Sequence, residues 1–248
     1  MTPPDSTTSL RRTRRGWRLS QHGTVLSEVL LQPGPTHSVF DVLAAACLIG
    51  PTAHDIALLG FGGGSVVAAL RALGCSARVH AVDLDPTGRN LLHQAGASWL
   101  EPFHWHPREA VDWLRSAGQF DVIVDDLSIP RHGDVVKPDA TWNILPDLFV
   151  HHLKPEGRAL FNLLRPARGG WIRGVQQVCS NYKTGVVIHF DGFENRILVA
   201  GNAAINASSP LASPRNFGNH LRSGLRALVS RQQDQVRVQG VRTGSPQE

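Results

Sequence analysis

Short runs of β-branched and aliphatic residues alternate with helical stretches over most of this chain. Between residues 24 and about 190, apolar runs are followed by segments with helical spacing. This alternation is typical of parallel strands joined by crossover helices. The predicted strands are 55–60, 78–83, 102–106, 121–126, 159–164, 185–190 and 196–200, and the predicted helices are 65–73, 86–95, 108–116, 140–152 and 170–181.

The end of this pattern differs from its beginning. The last two predicted strands are separated only by residues 191–195, which are too few for a crossover helix. These two strands must therefore pair antiparallel. We predict an α/β fold with a seven-stranded, mostly parallel sheet that ends in an antiparallel hairpin and carries helices on both faces. The chain has 248 residues and is 42% hydrophobic, which suffices for one large domain.

Positive charge is concentrated at the two ends. Residues 1–18 contain five arginines and one aspartate, and residues 201–248 contain six arginines, one aspartate and one glutamate. The two ends therefore carry +4 each, and residues 19–200 carry −3, which gives the net charge of +5. Arginines can grip a nucleic-acid backbone, but termini are usually solvated and only Trp17 offers a stacking surface nearby. We predict a basic disordered arm over 1–18, a domain over 19–201 with an extended segment at 24–31, and a basic tail over 202–248 with one helix at 214–231.

No segment is predicted to cross or enter a membrane. The longest apolar stretch, 42–50, is far shorter than the roughly 20 residues that a spanning helix needs, and the basic start is not followed by an apolar segment. The three cysteines, Cys47, Cys75 and Cys179, are odd in number and widely spaced. We therefore expect a reduced, cytoplasmic setting.

A glycine-rich turn joins the first predicted strand of the alternating pattern to its helix. The sequence runs Gly60-Phe61-Gly62-Gly63-Gly64-Ser65. Glycines let a ligand approach the backbone, and the helix start beyond them offers unpaired N–H groups. A dinucleotide fingerprint would need glycine at position 65, so this spacing favours a nucleoside without pyrophosphate. A tight strand-to-helix connection without a ligand is the alternative.

Carboxylates follow the next two strands. Asp83 ends the second strand, where an acid can accept both ribose hydroxyls. Asp85 precedes a proline, which favours a helix-capping role. Glu109 lies at the third strand-to-helix junction, where it could accept a hydrogen bond from an adenine amino group or stabilise the helix dipole. These positions predict a nucleoside site along one edge of the sheet.

Two aspartates end the fourth strand. Successive strand side chains point to opposite faces, so Asp125 and Asp126 cannot both face one pocket. His104 and His106 share one strand face with a spacing compatible with a metal, but the sequence places no third ligand. We predict no metal site.

Taken together, these motifs resemble the class I S-adenosylmethionine-dependent methyltransferases, which are Rossmann-like, and more closely their spermidine synthase branch. The glycine turn, Val82-Asp83-Leu84-Asp85-Pro86, Glu109-Ala110 and Phe120-Asp121-Val122-Ile123 before an aspartate carry the resemblance. It implies S-adenosylmethionine or its decarboxylated form as cofactor, a small-molecule acceptor and a homodimer. The implied cofactor-binding residues are Gly60, Phe61, Gly62, Gly63, Gly64, Asp83, Leu84, Glu109 and Ala110.

The sequence departs from this branch after the fourth strand. Spermidine synthases carry Asp-Ser-Ser-Asp-Pro there, whose first acid deprotonates the amine and whose second anchors the polyamine. The first acid corresponds to Asp126, the implied catalytic base, and the second to Ile129. The sequence therefore favours a methyltransferase. The alternatives are aminopropyl transfer to a polyamine and a catalytically silent nucleoside-binding module with basic arms.

Overall fold

The computed structural model describes residues 8–21, 24–32, 36, 38–94, 102–131, 134–166, 169–189, 194–203 and 237–241. The described chain begins with a three-stranded antiparallel sheet, in the order β1 (Thr8–Arg12), β2 (Gly16–Gln21) and β3 (Thr24–Leu30). The extended segment predicted at 24–31 is thus a strand of this sheet.

The prediction of a disordered basic arm over residues 1–18 is wrong for residues 8–18, which include β1 and the first part of β2. Leu10 lies opposite Leu19 on the neighbouring strand, and Leu19 is buried. The Arg12 guanidinium lies 5.9 Å from the ring centre of Trp17, its cross-strand partner. In β2, Trp17 and Leu19 alternate with the exposed Arg18. This is the side-chain pattern of a strand, although the segment is rich in arginine. The boundary predicted between residues 18 and 19 falls inside β2.

The remaining elements follow the predicted alternation. They are α1 (Val39–Ala46), β4 (Asp55–Leu59), α2 (Ser65–Ala72), β5 (Arg78–Val82), α3 (Thr87–Gln94), β6 (Phe103–His106), α4 (Ala110–Arg115), β7 (Phe120–Asp125), β8 (Ile129–Arg131), β9 (Asp134–Val136), α5 (Asp139–Asn143), α6 (Leu145–His152), β10 (Leu153–Leu163), α7 (Gly170–Cys179), β11 (Thr184–His189), β12 (Arg196–Gly201) and β13 (Arg237–Val241).

The large sheet has the strand order β13-β11-β12-β10-β7-β4-β5-β6. β4, β5, β6, β7 and β10 pair in parallel, whereas β12 pairs antiparallel with both β10 and β11. The predicted seven-stranded, mostly parallel sheet with a terminal hairpin is confirmed. An eighth strand, β13, pairs antiparallel with β11 at the sheet edge.

Strand alternation divides the core into one layer on each face of the sheet. Ile56 and Leu58 of β4 pack in a cluster with α1 and α2. Ala57 and Leu59 of the same strand pack on the other face with α4, α6 and α7. Both faces of the central strands are thus covered, which explains their continuous apolar runs.

Two predictions for the helices need separate comment. The helix predicted over 140–152 is divided into α5 and α6 at Ile144. Pro146 has no backbone N–H and stands at the start of α6, so it begins a new helix and cannot continue the previous one. The helix predicted over 214–231 lies outside the described residues. None of the helices in the described ranges is long and apolar enough to cross a membrane.

Gly88 of α3 lies directly against the glycine turn that precedes α2. A Cβ atom at residue 88 would overlap the carbonyl oxygen of Gly62. We therefore expect Gly88→Ala to push α3 away from the turn and to destabilise the protein by about 1–3 kcal/mol in urea unfolding. Gly118→Ala is the control because a Cβ there meets no atom of the described residues within 4 Å. Equal stability of the two variants would contradict this packing.

Candidate active site

Six residues that follow strand ends, or precede a strand, lie along one edge of the large sheet. Parallel strands bring their carboxyl ends to a common edge, and the antiparallel β12 begins at that same edge. Following the sheet order from β6 to β12, the residues at this edge are Glu109, Asp83, Gly60, Asp126, Asn162 and Asn195. Neighbouring strands lie about 4.8 Å apart, so this row spans roughly 24 Å. All six residues line one cavity of about 650 Å³.

The N-terminal sheet forms the opposite wall of this cavity. Val25, Leu26, Ser27 and Glu28 of β3 line it. The hydroxyl of Ser65, the first residue of α2, anchors this wall: it lies 2.6 Å from the Ser27 hydroxyl, accepts from the Glu28 N–H at 2.9 Å and donates to the Glu28 carbonyl at 3.0 Å. Ser65 therefore fixes the distance between the two walls.

The glycine turn lies at the centre of the row. Gly60 and Gly62 have φ of 88° and 54°, a region that favours glycine. A Cβ at Gly60 would lie 2.6 Å from the carbonyl oxygen of Asp126. The turn thus packs tightly against the end of β7 while Gly60, Phe61 and Gly62 face the cavity.

Gly63 and Gly64 do not line the cavity. Gly64, at φ 79°, precedes α2, and a Cβ there would lie 3.0 Å from the Phe61 ring and 3.1 Å from Leu92. Gly64 therefore has a packing and turn-forming role, and the cofactor contacts that the resemblance implies for Gly63 and Gly64 remain predictions. Strand-to-helix geometry and ligand contact both favour glycine, so sequence alone could not separate them.

Asp83 lines the cavity and also holds the glycine turn. Its Oδ2 accepts from the N–H groups of Phe61 at 2.8 Å and Gly62 at 3.1 Å, and its Oδ1 accepts from Asp85 N–H at 3.0 Å. A carboxylate offers about four acceptor sites, so these bonds leave room for a ligand hydroxyl. Leu84 is 69% exposed and lines the cavity beside Asp83. Asp85 accepts from Thr87 N–H at 2.9 Å, which confirms its predicted capping role.

Glu109 and Ala110 line the end of the cavity nearest β6. Glu109 is the N-cap of α4, and its Oε2 accepts from the Asp112 N–H at 2.8 Å. The helix-stabilising role that the sequence left open is therefore present. The other carboxylate oxygen remains available to the cavity.

Asp126 stands one strand from the glycine turn and accepts a hydrogen bond from one amide, which a second amide holds in place. Its Oδ1 accepts from Asn162 Nδ2 at 2.7 Å, and the Asn162 Oδ1 accepts in turn from Asn195 Nδ2 at 2.9 Å. Burial raises the pKa of Asp126 to about 7, although the Asn162 hydrogen bond and the nearby charge of Lys137 oppose that rise. At neutral pH this carboxyl can therefore both accept and release a proton.

Asp125, the preceding residue, points away from the cavity, as strand alternation predicts. It is fully buried and its Oδ1 accepts from Lys137 Nζ at 2.9 Å and from the Leu127 N–H at 3.0 Å. The Lys137 side chain is only 2% exposed, so the pair is shielded from water. Lys137 follows the two-stranded β8–β9 ribbon, and the pair attaches that ribbon to the end of β7.

The buried cysteines and the strand histidines do not line this cavity. Burial raises the pKa of Cys47 to about 12 and that of Cys179 to about 11, so neither thiol is a nucleophile at neutral pH. His104 and His106 lie beside His80, whose Nδ1 is 3.2 Å from the Nε2 of His106. Within the described part of the chain, no group of three or more His, Cys, Asp or Glu side chains is arranged to hold a metal ion.

Sequence reasoning missed Asn162, Asn195 and the pairing of Lys137 with Asp125. Asn162 did carry a signal, because it interrupts the apolar run of β10 close to the strand end. Asn195 precedes an antiparallel strand that begins at the cavity edge. Neither signal shows which partner the amide meets, since those partners come from strands distant in the sequence.

The described strands and helices form a Rossmann-like fold of the kind found in class I methyltransferases. Similar solved structures are a probable spermidine synthase from Corynebacterium glutamicum (TM-score 0.67, 16% identity, 94% of this chain and 88% of that chain covered) and the spermidine synthase from Thermotoga maritima (TM-score 0.61, 14% identity, 86% and 76% covered). An S-adenosylmethionine-dependent methyltransferase from Agrobacterium tumefaciens is also similar (TM-score 0.53, 15% identity, 81% and 72% covered).

These similarities show the fold that the chain shares with spermidine synthases and S-adenosylmethionine-dependent methyltransferases. The spermidine synthase-like architecture expected from the sequence motifs is confirmed. No family model matches the sequence, and no curated protein matches it.

Proposed function

We propose that this protein is a methyltransferase that takes its methyl group from S-adenosylmethionine. The observation that carries the proposal is the position of Asp126, one strand from the glycine turn and facing the same cavity. A nucleoside bound at the turn would bring its reactive end towards this carboxyl. A cavity of about 650 Å³ is within the range that small-molecule sites occupy.

The residues of the β4–β6 end suit the nucleoside. Gly60 and Gly62 present backbone without side chains, so a ligand can approach closely. Asp83 has acceptor capacity left for one ribose hydroxyl, and Glu109 has it for an adenine amino group. Leu84 and Ala110 supply apolar surface beside them.

When bound, the sulfonium supplies a methyl group: the acceptor lone pair bonds to the methyl carbon while the carbon–sulfur bond breaks and leaves its electron pair on sulfur. The chain contributes orientation and proton transfer. The cavity walls hold the acceptor in line, which can supply roughly 7–11 kcal/mol of the barrier. Asp126 accepts the proton that the nucleophile loses, and Asn162 holds the carboxylate in place.

Aminopropyl transfer is the second candidate. The similarity to spermidine synthases, which extends over 94% of this chain for the C. glutamicum structure, favours it. Ile129 argues against it, because this residue lines the cavity and is 48% exposed where a second carboxylate would anchor a polyamine. A cation that is buried there without a partner would cost several kcal/mol.

Calorimetry with three nucleosides separates these functions. We expect S-adenosylmethionine to bind the full-length protein at least about tenfold more tightly than its decarboxylated form or methylthioadenosine. Tighter binding of the decarboxylated form would favour aminopropyl transfer. Absence of binding by all three would contradict both candidates.

A further inference from the structure

The charged groups of the cavity are unequally paired. We call the part of the cavity near β7, β10 and β12 the acceptor half. It is lined by residues 25–28, 38–40, 126–129, Val135, Lys137, Pro138, Asn162, Leu164 and Asn195. Its described charged side chains are Glu28, Asp126 and Lys137. The pairing of these three groups decides what charge an acceptor can carry.

Two of the three charges are compensated. Glu28 Oε1 accepts from Arg18 at 2.8 Å on the neighbouring strand. Lys137 bonds to the fully buried Asp125 at 2.9 Å. Each pair contributes no net charge to the acceptor half.

Asp126 has no such partner. None of the ion pairs among the described residues includes it, and its hydrogen bond comes from the neutral amide of Asn162. The surrounding wall is largely apolar, with Val39, Phe40, Leu127, Val135 and Leu164. An ionised carboxylate in such a setting is stabilised by one cation at hydrogen-bond distance.

We infer that the acceptor is a monoamine: one ammonium group on an apolar body. This inference rests on the proposed function. The ammonium would pair with Asp126, and the body would cover the apolar wall. A neutral alcohol leaves the carboxylate without a counter-charge, and an anion is repelled by it. A diamine brings a second cation to a wall where Ile129 offers no acceptor.

The same pair prepares the nucleophile. The bound group is R–NH₃⁺ opposite a carboxylate, and transfer of one proton to Asp126 gives R–NH₂ and a neutral carboxylic acid. The nitrogen lone pair, unavailable in the ammonium form, is then free to react. Charge and protons balance within the pair, so no further base is required.

The test uses three probes of one length: hexylamine, 1,6-diaminohexane and hexan-1-ol. Each is titrated calorimetrically into the full-length protein saturated with S-adenosylhomocysteine. We expect hexylamine to bind at least about tenfold more tightly than either of the others, because only it matches both the single carboxylate and the apolar wall. Asp126→Asn should remove this preference for the amine over the alcohol.

Ile129→Asp provides a gain-of-function arm. It adds a second carboxylate to the same wall and should raise the affinity for 1,6-diaminohexane about tenfold, whereas the neutral Ile129→Asn control should not. Equal binding of the alcohol, tighter binding of the diamine by the wild type, or no binding of hexylamine would each overturn the inference. Failure of S-adenosylhomocysteine to bind, measured first, would instead refute the proposed function.

Discussion

Replacing Asp126 by asparagine should lower the rate of methyl transfer by about 10²–10⁴-fold while leaving S-adenosylmethionine affinity within about twofold. The asparagine keeps the size of the side chain but cannot accept the proton that the nucleophile loses. Burial raises the pKa of Asp126 to about 7, so the wild-type rate should rise with pH through that value. The variant should lack this rising limb.

The same substitution should stabilise the protein at high pH. Because the folded-state pKa of Asp126 is raised from 3.8 to about 7, the folded protein holds this proton more tightly than the unfolded chain. Wild-type stability therefore falls as pH rises from 4 to 7, and the loss is complete above 7. Asp126→Asn avoids that loss. We expect it to be about 1–2 kcal/mol more stable at pH 8, since water screens this partly exposed group, and equally stable at pH 4.

Asp112→Asn is the control for both measurements. Asp112 is an exposed carboxylate on the outer surface of α4, with 64% of its side chain accessible. Its replacement should change neither the rate nor the pH dependence of stability. A wild-type rate for Asp126→Asn, or destabilisation of that variant at pH 8, would remove Asp126 from its assigned role.

Replacing Lys137 by methionine should destabilise the protein by about 3–5 kcal/mol in urea unfolding. Methionine retains the apolar stem but leaves the carboxylate of Asp125 buried without its counter-charge. Among the described residues, Asp125 Oδ2 has no hydrogen-bond partner, so the carboxylate depends on Lys137 and the Leu127 N–H. The end of β7, and with it Asp126, should become less ordered.

Two variants isolate the cause. Lys154→Met removes a lysine that also contacts two carboxylates, Asp55 and Asp121, but its side chain is 36% exposed. That change should cost no more than about 1 kcal/mol. Adding Asp125→Asn to Lys137→Met should restore most of the lost stability, because the amide can still accept from Leu127. Equal losses for Lys137→Met and Lys154→Met would contradict a buried, charge-dependent contact.

The layout of the large sheet could be predicted because its strands are continuous apolar runs that are bounded by polar residues and glycines. The turn Gly60 to Gly64 and the acid Asp83 lie beside strand ends, and strand ends meet at one edge. Positions at that edge therefore follow from sequence order alone. The short link between β11 and β12 likewise forces the antiparallel hairpin.

The N-terminal sheet and β13 could not be predicted in the same way. β1 and β2 have few apolar residues, and their pairing depends on Leu10, Leu19 and the contact between Arg12 and Trp17. β13 depends on the free edge of β11, which only the assembled sheet provides. The prediction for these segments depended on their amino-acid composition. Composition shows that the segments are basic, but it does not show which strands pair with each other.

The finer division of roles within the site also depends on tertiary contacts. Asp83 both lines the cavity and ties the turn through Phe61 and Gly62, whereas the sequence indicated only the first role. Asn162 meets Asp126 on one side and Asn195 on the other because β10 lies between β7 and β12. Sheet order, and not spacing along the chain, selects these partners.

A crystal structure of the protein with S-adenosylhomocysteine would test most directly whether this cavity is a nucleoside site next to an acid–base carboxyl. We predict the adenosine between Glu109, Asp83 and the turn at Gly60, with its sulfur end directed towards Asp126. Density for the nucleoside elsewhere on the protein, or its sulfur directed away from Asp126, would contradict the account.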